Sequence, residues 1–220
     1  MRKYLILGPW LLLIMAPQTS GEEPGGRFGI PAGTSLRELC DRPRVIHSAV
    51  SAEQYEQQKE WIDLDIDLHI CADVPLANLR AVLLDYTNYP KNFKRYKETA
   101  LSQDERGLYQ HITVSIGLMG FSFDTRYTLL SHTPIDTPDA FAMTWTHAGD
   151  DGSIKNIRGN WYLQAVMVDN KPYTYIRYAA FSTAVRKFPL QRMVMNMFKD
   201  LEHFDMLKQF IRAGGRSGPR

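Results

Sequence analysis

Residues 62–71 read IDLDIDLHIC and place Asp63, Asp65, Asp67 and His69 at every second position. Three carboxylates and an imidazole are metal-ligand types. Alternate positions of a strand, however, lie roughly 7 Å apart, too far for neighbours to share one ion easily. A solvated face, or pairing with Arg or Lys of an adjacent strand, fits the spacing better. The six histidines, His47, His69, His111, His132, His147 and His203, show no ligand-like pairing. No Gly-x-Ser-x-Gly, phosphate-binding loop or buried carboxylate pair is present, so the usual signatures of nucleophilic and acid–base catalysis are missing and no cofactor is called for. His147, in the Trp-containing stretch AFAMTWTHA, is the one candidate catalytic group. An inward-facing His there serves equally well as a hydrogen-bonded wall residue.

The two cysteines, Cys40 and Cys71, lack the His/Cys neighbours of a zinc site. Residues 1–21 carry the pattern of a secretory signal peptide: Arg2 and Lys3, an apolar run from Tyr4 to Ala16, and small residues ahead of Glu22. The apolar run is shorter than the roughly 20 residues of a spanning helix. Cleavage is expected near Gly21, with an uncleaved membrane anchor as the rival reading. Export puts Cys40 and Cys71 in an oxidising compartment, where a disulfide is expected. The net charge of +2 is too small to suggest a nucleic-acid partner, and a chain 44% hydrophobic and 11% aromatic is not disordered.

The domain that positions these groups is expected over residues 61–212. It follows a linker and extension over 22–60 and precedes a flexible tail over 213–220. Residues 62–71 form a strand with Ile62, Leu64, Ile66, Leu68 and Ile70 on one face, so Cys71 points to the other. There it meets Cys40 if residues 35–60 fold over that outer face. DVPLANLRAVLLDY follows as a helix, with Asp73 as N-cap and Pro75 in the first turn. Pro90 starts a second, very short helix, because Tyr89 before it is biased out of the helical region. Six segments of strand character come next, separated by turn signals and without intervening helices, which argues for an antiparallel meander. Pro189 to Arg212 is a long helix with apolar residues at helical spacing along its whole length.

Three stretches carry a resemblance. DYTNYPKNF sits between the first strand and the meander. GNWYLQAV followed by YTYIRY forms a strand pair, and FPLQRMVMNMFKDLEHFDMLKQFI closes the chain. In order and spacing they resemble the START-like (SRPBCC) superfamily, the polyketide cyclase/dehydrase and lipid transport group, over Trp61 to Arg212. The resemblance implies an α+β helix-grip fold: a seven-stranded curved antiparallel sheet around the long C-terminal helix, with two short helices after the first strand. It also implies an internal cavity for sterols, phospholipids, quinones, polyketides or other apolar molecules, with the short helices at its mouth. The usual Asp-Pro before the last helix is absent, and STAVRKFP stands there instead.

Alternation then selects the cavity wall. The expected ligand-binding residues are Phe93, Phe123, Tyr127, Met143, Trp145, His147, Trp161, Tyr178, Met193, Met197 and Phe198. Arg177, on the opposite face from Tyr178, is expected to pair with Asp65 or Asp67 across strands. Burying some 300 Å² of ligand at about 25 cal/mol per Å² yields roughly 7 kcal/mol before association costs, enough for a micromolar binder. Three functions fit. The first is a non-enzymatic periplasmic carrier or sensor of a lipid or other apolar small molecule, with transient membrane contact. The second is a cyclase/aromatase-like enzyme, and the third a solid-core protein-interaction module.

Overall fold

In the computed structural model, which describes residues 26–56, 59–118, 121–187 and 190–216, the alternating stretch lies within strand β2 (Lys59–Ala72). The expected signal peptide lies outside the described residues. Helix α2 (Leu76–Leu84) follows, then a 3-10 turn (Tyr86–Asn88) and α3 (Tyr89–Asn92). The meander runs through β3 (Tyr96–Asp104), β4 (Gly107–Leu118), β5 (Phe121–Asp136), β6 (Ala140–Asp150), β7 (Ile154–Val168) and β8 (Lys171–Val185). Helix α4 (Gln191–Arg216) ends the chain. The β7–β8 hairpin turns through Asp169 and Asn170, both at positive φ (49° and 62°), the geometry that favours these residue types in a two-residue turn.

The antiparallel sheet has eight strands in the order β1-β2-β8-β7-β6-β5-β4-β3, one more than expected. The added edge strand β1 (Arg44–Glu56) comes from the extension, which also holds α1 (Leu36–Asp41). Among the described residues β1 pairs only with β2, and two register shifts break its ladder, at Val45/His47 and Ala52/Gln54. Each shift changes which parity faces inward, so no clean alternation survives in its sequence.

The inner face of the sheet packs on α2 and α4. Leu76, Leu79, Val82 and Leu83 of α2 are buried, as the apolar stripe predicts. Asp73 does not cap that helix; Pro75 occupies the cap position without a side-chain bond. Helix α4 continues past Arg212, and Ala213 and Gly214 are buried. A Cβ on Gly214 would lie 2.6 Å from Leu79 Cδ2, so a side chain there would push α4 off α2.

The outer face is covered as well. Residues 26–41 cross β2, β8 and β7 as a strap, with Phe28 on Tyr162 at 6.0 Å and Leu39 in an apolar cluster with Cys71, Ala142, Tyr162 and Tyr175. The aspartates of β2 take cationic and hydroxyl partners rather than a metal, and Arg27 bridges two of them, with its Nη1 also 3.7 Å from Asp67. Asp63 accepts from Thr183 Oγ1 at 2.7 Å, and Asp65 takes both Arg27 Nη atoms at 3.0 Å. Asp67 accepts from Arg177 Nε at 2.9 Å and Nη2 at 2.7 Å. The remaining Arg177 Nη1 donates to the carbonyls of Phe28 and Gly29 at 3.2 Å, so one guanidinium ties β8 to β2 and seats the strap. Cys40 and Cys71 do meet under the strap, but as free thiols, and the expected disulfide is not formed. Cys40 Sγ instead donates back along its own helix to the Leu36 carbonyl at 3.3 Å. Burial pushes the Cys71 thiol up to about 12, so it is protonated and unreactive at neutral pH.

Asp67 and Arg177 are 3% and 12% exposed at their side chains. Replacing Arg177 by Gln leaves a buried carboxylate with only the more distant Arg27 Nη1, at 3.7 Å, as a charged partner. The expected cost is about 3–5 kcal/mol in urea unfolding, against under about 1 kcal/mol for Lys94→Ala at the exposed Lys94–Asp205 pair.

Candidate functional site

Along β8, Ile176 and Tyr178 point toward α4 while Arg177 points away. The cross-strand register carries this parity to Leu68 on β2 and Trp161 on β7, which oppose Tyr178 on its two sides. Trp145 on β6 lies directly opposite Gly159 of β7. A Cβ on Gly159 would stand 2.4 Å from the Ala179 carbonyl oxygen and 2.5 Å from Trp145 Cζ2, so the missing side chain is what lets both the indole and β8 come this close. The result is an aromatic wall. Trp145 stacks on Tyr178 (5.9 Å, 29°), and Trp161 meets Tyr178 at 4.6 Å and Phe210 of α4 at 4.7 Å.

Between this wall and α4 lies a cavity of about 250 Å³. A smaller hollow of about 60 Å³ adjoins it toward α3, bordered by Tyr89, Phe93 and Met143. Two larger hollows, one beside the start of α4 and one over β3–β5, are open surface grooves with charged linings. The enclosed cavity is therefore the candidate site. It gathers Tyr127, Trp145, Tyr178 and Phe198 of the expected set, and the adjoining hollow gathers Phe93, Met143 and Trp161. The side chain of Phe123 lies outside the described residues.

Three expected residues are elsewhere. Met193 and Met197 are 52% and 63% exposed on the far side of α4, together with Leu190 and Leu201. The amino-terminal half of this helix carries apolar residues on two faces, so periodicity alone did not choose between them. His147 lies past Thr146, the last β6 residue paired with β7, and sits 3.7 Å from Asp150 at the strand end. A register shift between Thr128 and Leu129 on the neighbouring strand accompanies this break.

The inward face of α4 is more polar than its sequence pattern suggests, and it brings a residue not expected at the site. His203 lines the cavity with its ring 5.9 Å from Tyr178. Its Nδ1 is 2.6 Å from the Lys199 carbonyl, which can only accept, so Nδ1 carries the proton and Nε2 is an acceptor. Burial lowers the His203 pKa, keeping the ring neutral. Burial also raises the phenols of Tyr127 and Tyr178, and pushes Tyr96 up to about 12. The only sequence signal for His203 was its place between Phe198 and Met206 on the closing helix.

The expected mouth, the short segment after α2, borders the smaller hollow, and Arg95 and Tyr96 at its end also border the cavity. Tyr86, Tyr89, Phe93 and Tyr96 make one aromatic cluster, with Tyr89 at 5.3 Å from both Phe93 and Tyr96. The Tyr89 hydroxyl donates to the Leu83 carbonyl at 2.7 Å. Beyond the cluster the basic residues reach across the opening to α4. Lys94 N donates to Gln209 Oε1 at 2.8 Å, Lys94 Nζ meets Asp205 at 3.4 Å, and Arg95 pairs with Glu202.

Two solved structures have a similar fold. One is a STAR-related lipid transfer protein from Xanthomonas axonopodis, at 12% identity, covering 75% of this chain and 98% of that one, with a TM-score of 0.52. The other is a protein from Thermus thermophilus, at 9% identity, covering 70% of this chain and 99% of that one, with a TM-score of 0.51. No protein-family model and no curated protein matches the sequence. At such identities the likeness is one of fold: the chain has the START-like helix-grip fold.

Gly159→Ala is expected to displace the Trp145 ring and cost about 1–3 kcal/mol, read as a lower thermal midpoint and a shifted Trp emission. A pH dependence follows from the two buried histidines, His203 and His69, both lowered by burial. As pH falls through about 6.5 the unfolded chain takes up their protons before the folded one does. Stability should therefore fall between pH 7.5 and 5.5, and a His69→Gln, His203→Gln double variant should show a flatter profile in thermal melts.

Proposed function

We propose that this protein is a non-enzymatic binder and carrier of an apolar small molecule or lipid, working in the periplasm. The observation that carries the reading is the cavity between the aromatic wall and α4, space that a solid core would have filled by interdigitating side chains. It favours a binder over a solid-core interaction module. The Xanthomonas protein of similar fold is named for lipid transfer, which supports the same class of ligand. The expected leader over residues 1–21 supports export. An apolar cargo in an aqueous compartment needs the shielding such a cavity offers. Met193, Met197 and Leu201 expose an apolar stripe on α4, with Leu190 exposed just before it, a surface suited to brief contact with a membrane during loading.

A second reading, a cyclase/aromatase-like enzyme, is favoured by the neutral His203 imidazole beside Tyr178. It predicts that His203→Ala abolishes turnover while binding persists.

The test is extraction of the purified mature protein with organic solvent, followed by mass spectrometry. The expected result is one apolar species in stoichiometric amount, or uptake of one from a mixed lipid extract. Finding neither would sink the carrier reading.

A further inference from the structure

The cavity's size, the shape of its wall and the state of its polar groups together restrict the ligand. This step rests on the binding reading above. We infer that the ligand is a compact, flat, neutral molecule of about two fused rings carrying a hydroxyl group, and neither a two-chain lipid nor an anion.

Size comes first. The cavity of about 250 Å³ and the adjoining hollow of about 60 Å³ together reach only the low end of the roughly 300–1,000 Å³ of pockets that hold drug-sized ligands. A two-chain lipid is larger than those ligands.

Shape comes second. Tyr178 lies at a shallow angle to Trp145 (29°) and to His203 (31°), with Trp161 tilted at 52° against it. Rings so arranged present flat surface to a guest, which favours offset stacking of another ring over packing of a kinked chain.

Charge comes third. Each cationic side chain bordering the cavity is already engaged. Arg95 pairs with Glu202, Lys187 Nζ donates to Ser153 Oγ at 2.7 Å, and Lys199 Nζ is 3.6 Å from Asp200. Inside the cavity, a carboxylate or phosphate head would have to break the Arg95 or Lys199 carboxylate pair to be neutralised, at a cost in desolvation; the exposed Lys187, bonded only to a hydroxyl, lies at the rim.

The neutral polar groups are in the opposite condition. The hydroxyls of Tyr96, Tyr127 and Tyr178 have no hydrogen-bond partner among the described residues, and neither does His203 Nε2. These phenols are close enough that ionising Tyr96 would oppose ionising the other two. The site thus offers O–H donors and a nitrogen acceptor side by side. A ligand hydroxyl answers both, accepting from a tyrosine and donating to His203. A ligand carbonyl would leave Nε2 unpaired, and a hydrocarbon would leave every one of these groups without a partner.

The test is calorimetric titration of the purified mature protein with three probes of one ring system, 2-naphthol, naphthalene and 2-naphthoate at pH 7.5. Two-chain phosphatidylcholine vesicles are offered separately, with extraction to measure uptake. The expected result is that 2-naphthol binds about three- to tenfold tighter than either analogue. Tyr178→Phe and Tyr127→Phe, which keep the rings, should erase that preference. Equal or tighter binding of naphthalene or 2-naphthoate would overturn the hydroxyl assignment, as would a preference that survives both Phe variants. Stoichiometric uptake of phosphatidylcholine would overturn the size limit. Each of these outcomes leaves the binding reading standing. If no probe binds, no phosphatidylcholine is taken up and solvent extraction yields no apolar species, the binding reading itself fails and this inference with it.

Discussion

The register of β8 against β2 decides which side chains face α4. Arg177 holds that register through both Asp67 carboxylate oxygens, in a setting where water competes little. A slip of one residue would turn Tyr178 to the outside and Arg177 into the cavity. The same guanidinium grips the Phe28 and Gly29 carbonyls, so the strap and the sheet closure depend on one group. A buried pair of this kind adds little net stability over an apolar substitute. Its value here is specificity, since no other pairing satisfies the aspartate, the arginine and two backbone carbonyls together.

With the register set, the interior follows from shape. Trp145, Trp161 and Tyr178 are large and rigid, and the gap at Gly159 lets the first lie along its neighbouring strand. α4 is held at a distance by these rings. Toward its carboxyl end, Leu207, Phe210, Ala213 and Gly214 close tightly onto α2 and the sheet. Toward its amino end, Gln191, Glu202 and His203 replace such contacts and the space stays open. The helix is thus anchored at one end and spaced at the other, which puts the cavity under its first half.

The mouth combines strong and weak contacts in sequence order. The four aromatics of the 86–96 segment are held by burial, whereas the Lys94 and Arg95 pairs to α4 are solvent-exposed and individually worth little. Separation at this seam breaks the weak set and spares the strong one.

The sequence by itself determined the strand-rich meander, its turns, the inward parity of Trp145, Trp161 and Tyr178, and the partnership of Arg177 with an aspartate of β2. Those features are local: period-two alternation and turn-forming residues act within a few positions of themselves. The helix-grip arrangement was legible too, because a long apolar helix had only the sheet's inner face to pack on. Tertiary structure alone decided which side of α4 turns inward, since Met193, Met197 and Leu201 are as apolar as the residues that do line the cavity. It also decided that residues 44–56 add an edge strand, that His203 rather than His147 meets Tyr178, and that Cys40 and Cys71 face each other as thiols. Each of these depends on where distant elements come to rest, and hydrophobic pattern records how much of a face is buried, not what it is buried against.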